Sequence, residues 1–579
     1  MKTNSESENI AIEKAQRWLN AAIDDETRSA IEHMLRHDSK ALTEAFHNDL
    51  DFGTGGLRGV MGVGSNRINR YTIGMTTQGL ANYLKKQFSG EKISVAIAHD
   101  SRNNSDYFTK VAADVLSANG IHVFLFRELR PTPLLSFAVR HLKCNAGIVI
   151  TASHNPRQYN GYKVYWNDGA QVVPPYDKGI IAEVRSVNGI ESVSFSRNEK
   201  LVHVLDDSVE EAYLSKLQTV IHSKEEIAKA ADLKIVYTSI HGTGITIVPK
   251  ALSAVGFSNI QIVEEQSAPD GNFPTVKSPN PEEKEALDLA LQLAEKTGAD
   301  LVLATDPDAD RVGIAVRNNE GKMVLLNGNQ AGSLIVYYAL MQWQRKDILD
   351  GRQFVAKTIV TTELIAAIAK KFGVKCYDTL TGFKYIAEVM RSKEGTEYFI
   401  CGGEESYGYL VGDFVRDKDA VISSIVLSEI AAWCHANSTT IWQLLQKIYS
   451  EFGFYFDELF TKTIEGLDGL KAIDAMMTTL RINPAKELAG SRVVKLVDVQ
   501  QSTTTDVLTG KISTLDLPHS NVLQFFLEDG SKISARPSGT EPKIKFYFSL
   551  RGDARNLSYE NFVEKSRIRI SEIKIEMNL

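Results

Sequence analysis

Between Ser94 and Ile150, short apolar runs alternate with stretches of helical spacing. Val95-Ala96-Ile97-Ala98 reads as a strand ending at His99-Asp100-Ser101-Arg102, and a helix follows to about Asn119. Val123-Phe124-Leu125-Phe126 is the next strand, residues 133–142 are helical, and Ala146-Gly147-Ile148-Val149-Ile150 is a third strand. Alternation of this kind needs crossover connections, so it predicts a parallel sheet with helices on its faces. Ligands of such sheets bind beyond the carboxyl ends of the strands. The third strand runs into Thr151-Ala152-Ser153-His154-Asn155-Pro156, which places a serine hydroxyl at that rim. A serine there is a candidate covalent nucleophile if a neighbour activates it and another group stabilises the charge. Taken alone, the six residues make an ordinary polar turn equally well.

The same pattern recurs twice. Leu233-Lys234-Ile235-Val236-Tyr237 opens a second strand–helix unit, and Phe354 to Val360 opens a third. In the second, a helix is expected from Pro281. Asn280 would be its N-cap, Glu283 would complete a capping box, and Gly298 would be its stop. The strand Leu301 to Ala304 then leads into Asp306-Pro307-Asp308-Ala309-Asp310-Arg311. Three carboxylates at every second position repel one another, and a hard divalent cation relieves that. An oxygen-only ligand set suits Mg²⁺. An EF-hand is excluded, because no glycine or distal glutamate stands at the required spacing.

Other stretches carry weaker signals. Asp51-Phe52-Gly53-Thr54-Gly55-Gly56-Leu57-Arg58-Gly59 lets backbone N–H groups approach an anion, and Arg58 adds a bidentate phosphate donor. Lys163, soon after Ser153, is a candidate acid/base or charge stabiliser. Thr381-Gly382-Phe383-Lys384 is a polar loop, and Gly402-Gly403-Glu404-Glu405-Ser406-Tyr407-Gly408 suits a polyhydroxyl ligand or, as well, a helix start. Glu528-Asp529-Gly530 marks a hairpin, and Arg536-Pro537-Ser538-Gly539-Thr540-Glu541-Pro542-Lys543 reads as a phosphate cradle between strands. Two amphipathic helices are expected between residues 10 and 37, and another over 560–575.

Composition narrows the alternatives. Lys plus Arg is 65 and Asp plus Glu is 72, a net charge of -7, which gives no basis for a nucleic-acid partner. No run reaches the ~18 apolar residues of a membrane helix, and residues 1–6 lack the apolar core of a signal peptide. The four cysteines are far apart, as expected of free thiols in a reducing compartment, so a cytoplasmic location is expected.

Together these residues resemble the α-D-phosphohexomutase family over nearly the whole chain, with the motifs in the family's order. T-A-S-H-N-P is matched by Thr151 to Pro156, D-x-D-x-D-R by Asp306 to Arg311, G-E-x-S by Gly403 to Ser406, and R-x-S-G-T-E-P by Arg536 to Pro542. Tyr159 to Trp166 looks like the phosphoglucomutase/phosphopentomutase branch. The resemblance implies an α/β protein of four domains around a central cleft: three α/β domains with mixed sheets and a smaller C-terminal α+β domain. The expected bounds are 1–231, 232–350, 351–473 and 474–579.

It also implies that Ser153 is carried as phosphoserine and that Mg²⁺ is held by Ser153, Asp306, Asp308 and Asp310. Arg58, His154, Lys163 and Arg311 would stand at the reacting phosphoryl. Glu404 and Ser406 would hold sugar hydroxyls, and Arg536, Ser538, Gly539 and Thr540 the phosphate not being transferred. Thr381, Gly382 and Lys418 match third-domain substrate positions. Where some members carry a histidine after the sugar loop, this chain has Tyr407, Gly408 and Tyr409. The implied reaction interconverts glucose 1-phosphate and glucose 6-phosphate through glucose 1,6-bisphosphate, which also serves as primer. Pentose or mannose phosphate mutase activity is the alternative. A metal-dependent phosphatase would leave Ser153 and the Arg536 loop unexplained, and a silent sugar-phosphate binder would be expected to lack the nucleophile or a carboxylate. The expected partners are small sugar phosphates, with no nucleic acid and no membrane; monomer and dimer both remain open.

Overall fold

The computed structural model describes residues 6–50, 52–53, 56–464, 469–538, 543–555 and 557–579. Two compact units are formed. One comprises residues 1–328 and 383–439, the other 329–382 and 440–579.

The first unit contains a seven-stranded mixed sheet in the order 52–53, 56–60, 159–166, 146–150, 94–99, 122–125, 202–204. Strands Ser94–His99, His122–Leu125, Ala146–Ile150 and Val202–Val204 are parallel, as the alternation predicts. Strand Tyr159–Trp166 returns antiparallel along Ala146–Ile150, so Lys163 stands on a buried strand. Its Gly161 is required by close packing: a Cβ there would lie 2.5 Å from the Thr151 carbonyl oxygen. The core between sheet and helices includes Ile97, Phe108, Ile148, Tyr162 and Trp166. The N-terminal helices Glu6–Asn20 and Asp25–His37 match the expected periodicity, and a third, Ser39–Phe46, joins them around Trp18, Ile31 and Phe46.

A five-stranded mixed sheet follows in the same unit, in the order 323–326, 312–317, 301–305, 235–238, 260–262. Strands 260–262, 235–238 and 301–305 are parallel, while 312–317 and 323–326 are antiparallel. Its flanking helix is Lys284–Thr297, three residues shorter at its start than expected. Gly298 does end it, at φ 64°. The capping box is absent. Asn280 instead closes a turn, its side-chain oxygen accepting from the Glu282 N–H at 3.2 Å and its carbonyl from the Glu283 N–H at 3.0 Å. Asparagine serves turns and N-caps by the same hydrogen bond, and here Glu282 is drawn out to pair with Arg311 at 2.6 Å. The first unit also holds the antiparallel pair Tyr398–Gly403 and Tyr409–Val411, followed by the buried helix Ala420–Ala436.

In the second unit, strands Gln353–Thr358 and Lys375–Thr379 are parallel. The C-terminal sheet is antiparallel throughout, in the order 454–463, 543–552, 532–537, 523–527, 491–498, 503–506, 512–514, with 487–488 on 491–498. Helices Gly469–Ile482 and Tyr559–Glu576 accompany it. Strand Phe454–Thr463 pairs with Lys543–Gly552 over its whole length, so it belongs to this sheet although it lies ahead of the expected boundary at 474. Lys532 ties residues 329–382 to the C-terminal sheet. Its buried ammonium donates to the carbonyls of Ile359 (2.8 Å) and Thr361 (3.1 Å) and pairs with Glu363 at 2.6 Å. Among the described residues no single helix is long and apolar enough to cross a membrane.

Candidate active site

Ser153 lies just beyond the carboxyl end of its strand, 3% exposed, with φ 53°. A non-glycine residue in the left-handed region costs on the order of 1 kcal/mol or more and needs support from its surroundings. Its N–H donates to Thr151 Oγ1 at 2.8 Å, and its carbonyl accepts from Arg102 at 2.7 Å. Held on both sides of its Cα, Ser153 presents its hydroxyl to Asp306, donating to Oδ2 at 2.9 Å, and lies 3.1 Å from His154 Nδ1.

The aspartate loop meets it from the second sheet. One carboxylate oxygen from each of Asp306, Asp308 and Asp310 lies within 4.8 Å of the others, and all three residues are buried. Asp306 Oδ1 accepts the N–H groups of Asp310 (3.1 Å) and Arg311 (3.0 Å), which curls the loop back on its first carboxylate. Thr132 fixes Asp308: its N–H donates to the Asp308 carbonyl at 2.9 Å and its hydroxyl to Oδ2 at 3.0 Å. Lys163 reaches Asp308 at 2.7 Å and Asp310 at 3.2 Å, and Lys418 reaches Asp310 at 3.0 Å.

The charges settle unevenly. Burial, together with Asp308 and Asp310, holds the Asp306 carboxyl well above its ordinary value. Burial also acts to raise Asp310, but Lys418, Lys163 and Arg311 override it and hold that carboxylate ionised. Burial opposes the charge on Lys418, yet Asp310, Asp417 and Glu404 raise it above an ordinary lysine. His154 is pushed well below its usual value by burial and then by Arg311 and Arg58, so its ring is neutral.

Three buried carboxylates this close are an expensive arrangement even with Lys163 and Lys418 beside them, and the donors fit a hard divalent ion. Asp308 Oδ1 and Asp310 Oδ1 are buried without a hydrogen-bond partner, and every donor is oxygen. The structure therefore supplies the residues that would hold Mg²⁺.

Around this centre, the first unit gathers most of the expected residues. Arg58 is exposed on strand Gly56–Val60 and donates to Asn155 Oδ1 at 3.1 Å. Arg311 pairs with Glu282 and stands 3.9 Å from Asp310. Glu404 is buried in the tight connection between strands 398–403 and 409–411, its N–H bonded to the Gly408 carbonyl at 2.9 Å, and Ser406 is half-buried there. The connection is a strand–turn–strand, not a helix start. Gly328 gives it room, since a Cβ would lie 1.8 Å from the Glu405 carbonyl oxygen. Lys418 precedes Asp419, which caps helix Ala420–Ala436 by accepting from the Val421 and Ile422 N–H groups at 2.9 and 3.0 Å.

Thr381, Gly382, Arg536 and Ser538 lie in the second unit. Thr381 and Gly382 precede helix Phe383–Lys393, with Gly382 at φ 111°. Arg536 is the penultimate residue of strand Lys532–Pro537, opposite Lys545, and the Ser538 N–H donates to the Lys543 carbonyl at 2.8 Å. Gly539 and Thr540 lie outside the described residues, as do Asp51, Thr54 and Gly55 of the glycine-rich stretch.

Sequence reasoning missed Arg102, Thr132 and Glu282. Each acts on a residue distant in sequence, and no local pattern marks any of them.

Three family models match in chain order: phosphoglucomutase/phosphomannomutase alpha/beta/alpha domain I over residues 49–189, domain II over 211–321 and domain III over 327–452. The phosphoglucomutase of Staphylococcus aureus (strain MRSA252) is 38% identical over 538 residues, covering 92% of this chain and 95% of the relative. The chain belongs to the α-D-phosphohexomutase family. The Staphylococcus haemolyticus phosphoglucomutase is likewise 38% identical to this phosphohexomutase, over 524 residues, 89% of this chain and 94% of the relative. Among solved structures, the open form of the Paramecium phosphoglucomutase parafusin aligns with a TM-score of 0.68 at 19% identity, covering 91% of this chain and 95% of that one. A phosphoglucomutase/phosphomannomutase family protein of Burkholderia thailandensis aligns with a TM-score of 0.66 at 19% identity, covering 91% and 97%. This chain has the four-domain phosphohexomutase architecture: three α/β/α domains with mixed sheets and a β-rich C-terminal domain.

Proposed function

We propose that this phosphohexomutase interconverts glucose 1-phosphate and glucose 6-phosphate, in the cytoplasm, with Ser153 as its phosphoryl carrier. Similarity to phosphoglucomutases over most of the chain supports the activity. The observation that carries the residue assignment is the Ser153 hydroxyl on the aspartate cluster, 2.9 Å from Asp306.

Phosphoserine 153 gives its phosphoryl to a free hydroxyl of a bound sugar monophosphate. The P–O bond to Ser153 Oγ breaks as one to the sugar oxygen forms, and the proton of the sugar hydroxyl passes to the departing Ser153 Oγ, which is left as a hydroxyl. The resulting bisphosphate turns around and returns its other phosphoryl to Ser153. Such transfers depend on positioning and on neutralising charge. Lys163, Arg58 and Arg311 supply positive charge beside the serine. Glu404 and Ser406 hold ring hydroxyls. Arg536 and Ser538, with Gly539 and Thr540, hold the phosphate at rest. Mg²⁺ held by Asp306, Asp308, Asp310 and the phosphoserine would offset the negative charge on the transferring group. Glucose 1,6-bisphosphate loads the enzyme by the same chemistry run in reverse.

Intact-mass spectrometry before and after incubation with glucose 1,6-bisphosphate tests this. A gain of one phosphoryl group, located at Ser153 and discharged by glucose 1-phosphate, is expected. A protein that stays unmodified while turning over would overturn the assignment.

A further inference from the structure

Arg102 is a buried charge for which the reaction scheme has no use. It follows strand Ser94–His99 and is 3% exposed. Its Nη1 donates to the carbonyls of Pro156 and Tyr159, both at 3.0 Å. Its Nη2 donates to the carbonyl of Ser153 at 2.7 Å and to that of Asn155. Nε lies 3.3 Å from Asp100 Oδ2, and Cζ stands 5.2 Å from the centre of the Phe273 ring. Asp100 is fixed in turn, its Oδ1 accepting from Ser105 Oγ at 2.7 Å and from the Arg102 N–H at 2.9 Å.

The loop from Ser153 to Tyr159 therefore turns four carbonyls inward onto one guanidinium. Only arginine offers a rigid planar fork with enough N–H donors to satisfy them together, whereas lysine offers one point charge on a flexible stem. One of the four carbonyls is that of Ser153, whose backbone sits at φ 53°. With the Ser153 N–H tied to Thr151, the Arg102 bond fixes the second peptide next to the serine Cα and so fixes the direction of Cα–Cβ, from which Oγ reaches Asp306 Oδ2 at 2.9 Å.

We propose that Arg102 is a positioning residue for phosphoryl transfer: it holds Ser153 in the left-handed conformation that aims Oγ at the aspartate cluster. It touches none of the reacting atoms. Displacing a reacting oxygen by about 1 Å costs about a hundredfold in rate, so the effect belongs in kcat and not in sugar-phosphate binding.

The inference rests on Ser153 as phosphoryl carrier, so the wild-type protein is loaded with glucose 1,6-bisphosphate beside Arg102→Lys and Arg102→Gln. Absence of phosphoserine in the wild type would count against the proposed function, whatever the variants do. With the wild type loaded, each folded variant is expected to lose about a hundredfold in kcat. Its KM for glucose 1-phosphate should stay within about threefold, and phosphoserine should form more slowly. A merely structural role would lower the melting temperature while leaving kcat per folded molecule at the wild-type level, and that result would overturn the proposal. If neither variant folds, a crystal structure of the wild-type enzyme decides. The four bonds with Ser153 at positive φ support it, and a guanidinium elsewhere or a Ser153 at negative φ overturns it.

Discussion

Ser153 and Asp306 stand 153 positions apart in the chain, on strand-end loops of two different sheets, and meet through a 2.9 Å hydrogen bond from Oγ to Oδ2. Ser153 and the aspartate cluster thus form one centre. Removing Oγ deletes the acceptor of the phosphoryl group together with its hydrogen bond to Asp306. Ser153→Ala is expected to lose at least about a thousandfold in mutase turnover while the protein stays folded. A coupled assay on protein free of other mutases checks this; near-normal turnover would refute the assignment.

The carboxylates of Asp306, Asp308 and Asp310 should make activity depend on a divalent cation. Excess chelator is expected to abolish turnover and Mg²⁺ to restore it. Full activity in protein shown by metal analysis to be cation-free would contradict this. Asp310→Asn should weaken the Mg²⁺ requirement's half-saturation by about tenfold or more, since one of three anionic ligands is lost.

Glu404 and Ser406 should set a preference for hexose over pentose. A pyranose presents neighbouring hydroxyls that a carboxylate and a hydroxyl two residues apart can hold together. A buried polar group left unpaired costs on the order of 1–3 kcal/mol, roughly a ten- to hundredfold preference. The comparison is kcat/KM for glucose 1-phosphate, mannose 1-phosphate and ribose 1-phosphate with bisphosphate primer present. Glucose 1-phosphate is expected to lead, and Ser406→Ala to shrink its lead over ribose. A ribose preference would replace phosphoglucomutase by phosphopentomutase. An unchanged ratio in Ser406→Ala would remove Ser406 as its cause.

Asp419, next to Lys418, gives a pH dependence of its own. Burial pushes it up to about 6, although the Ile422 N–H, the Tyr213 hydroxyl and the Val421 N–H all favour its ionised form. Its ordinary value is 3.8. The folded state thus holds this proton more tightly than the unfolded state. The stabilisation is complete below about pH 4 and is lost as pH rises through about 6, on the order of 3 kcal/mol in all. Asp419→Asn keeps a capping oxygen and has no charge to bury. Its melting temperature should gain on the wild type as pH rises from 4 to 7; a difference independent of pH would exclude the effect.

The sequence by itself located the polar loops. Strand–helix alternation places Ser153 and the three aspartates at strand ends, and the residue types there limit what each loop can bind. Local pattern left the Ser153 turn and the Glu404 stretch open, and only the four motifs taken together in order singled them out as candidate sites. Helix ends were legible only in part. Gly298 stops its helix as expected, because positive φ is a property of glycine itself. Asn280 does not start one, because turns and caps share the same asparagine hydrogen bond, and here that bond closes a turn whose Glu282 pairs with Arg311. Only the tertiary structure brought Lys163 and Lys418 together on Asp310, set Thr132 on Asp308, and closed Arg102 over four carbonyls. Those contacts depend on which strand lies beside which. That order is set by the burial of whole sheet faces, and no window of neighbouring residues contains it.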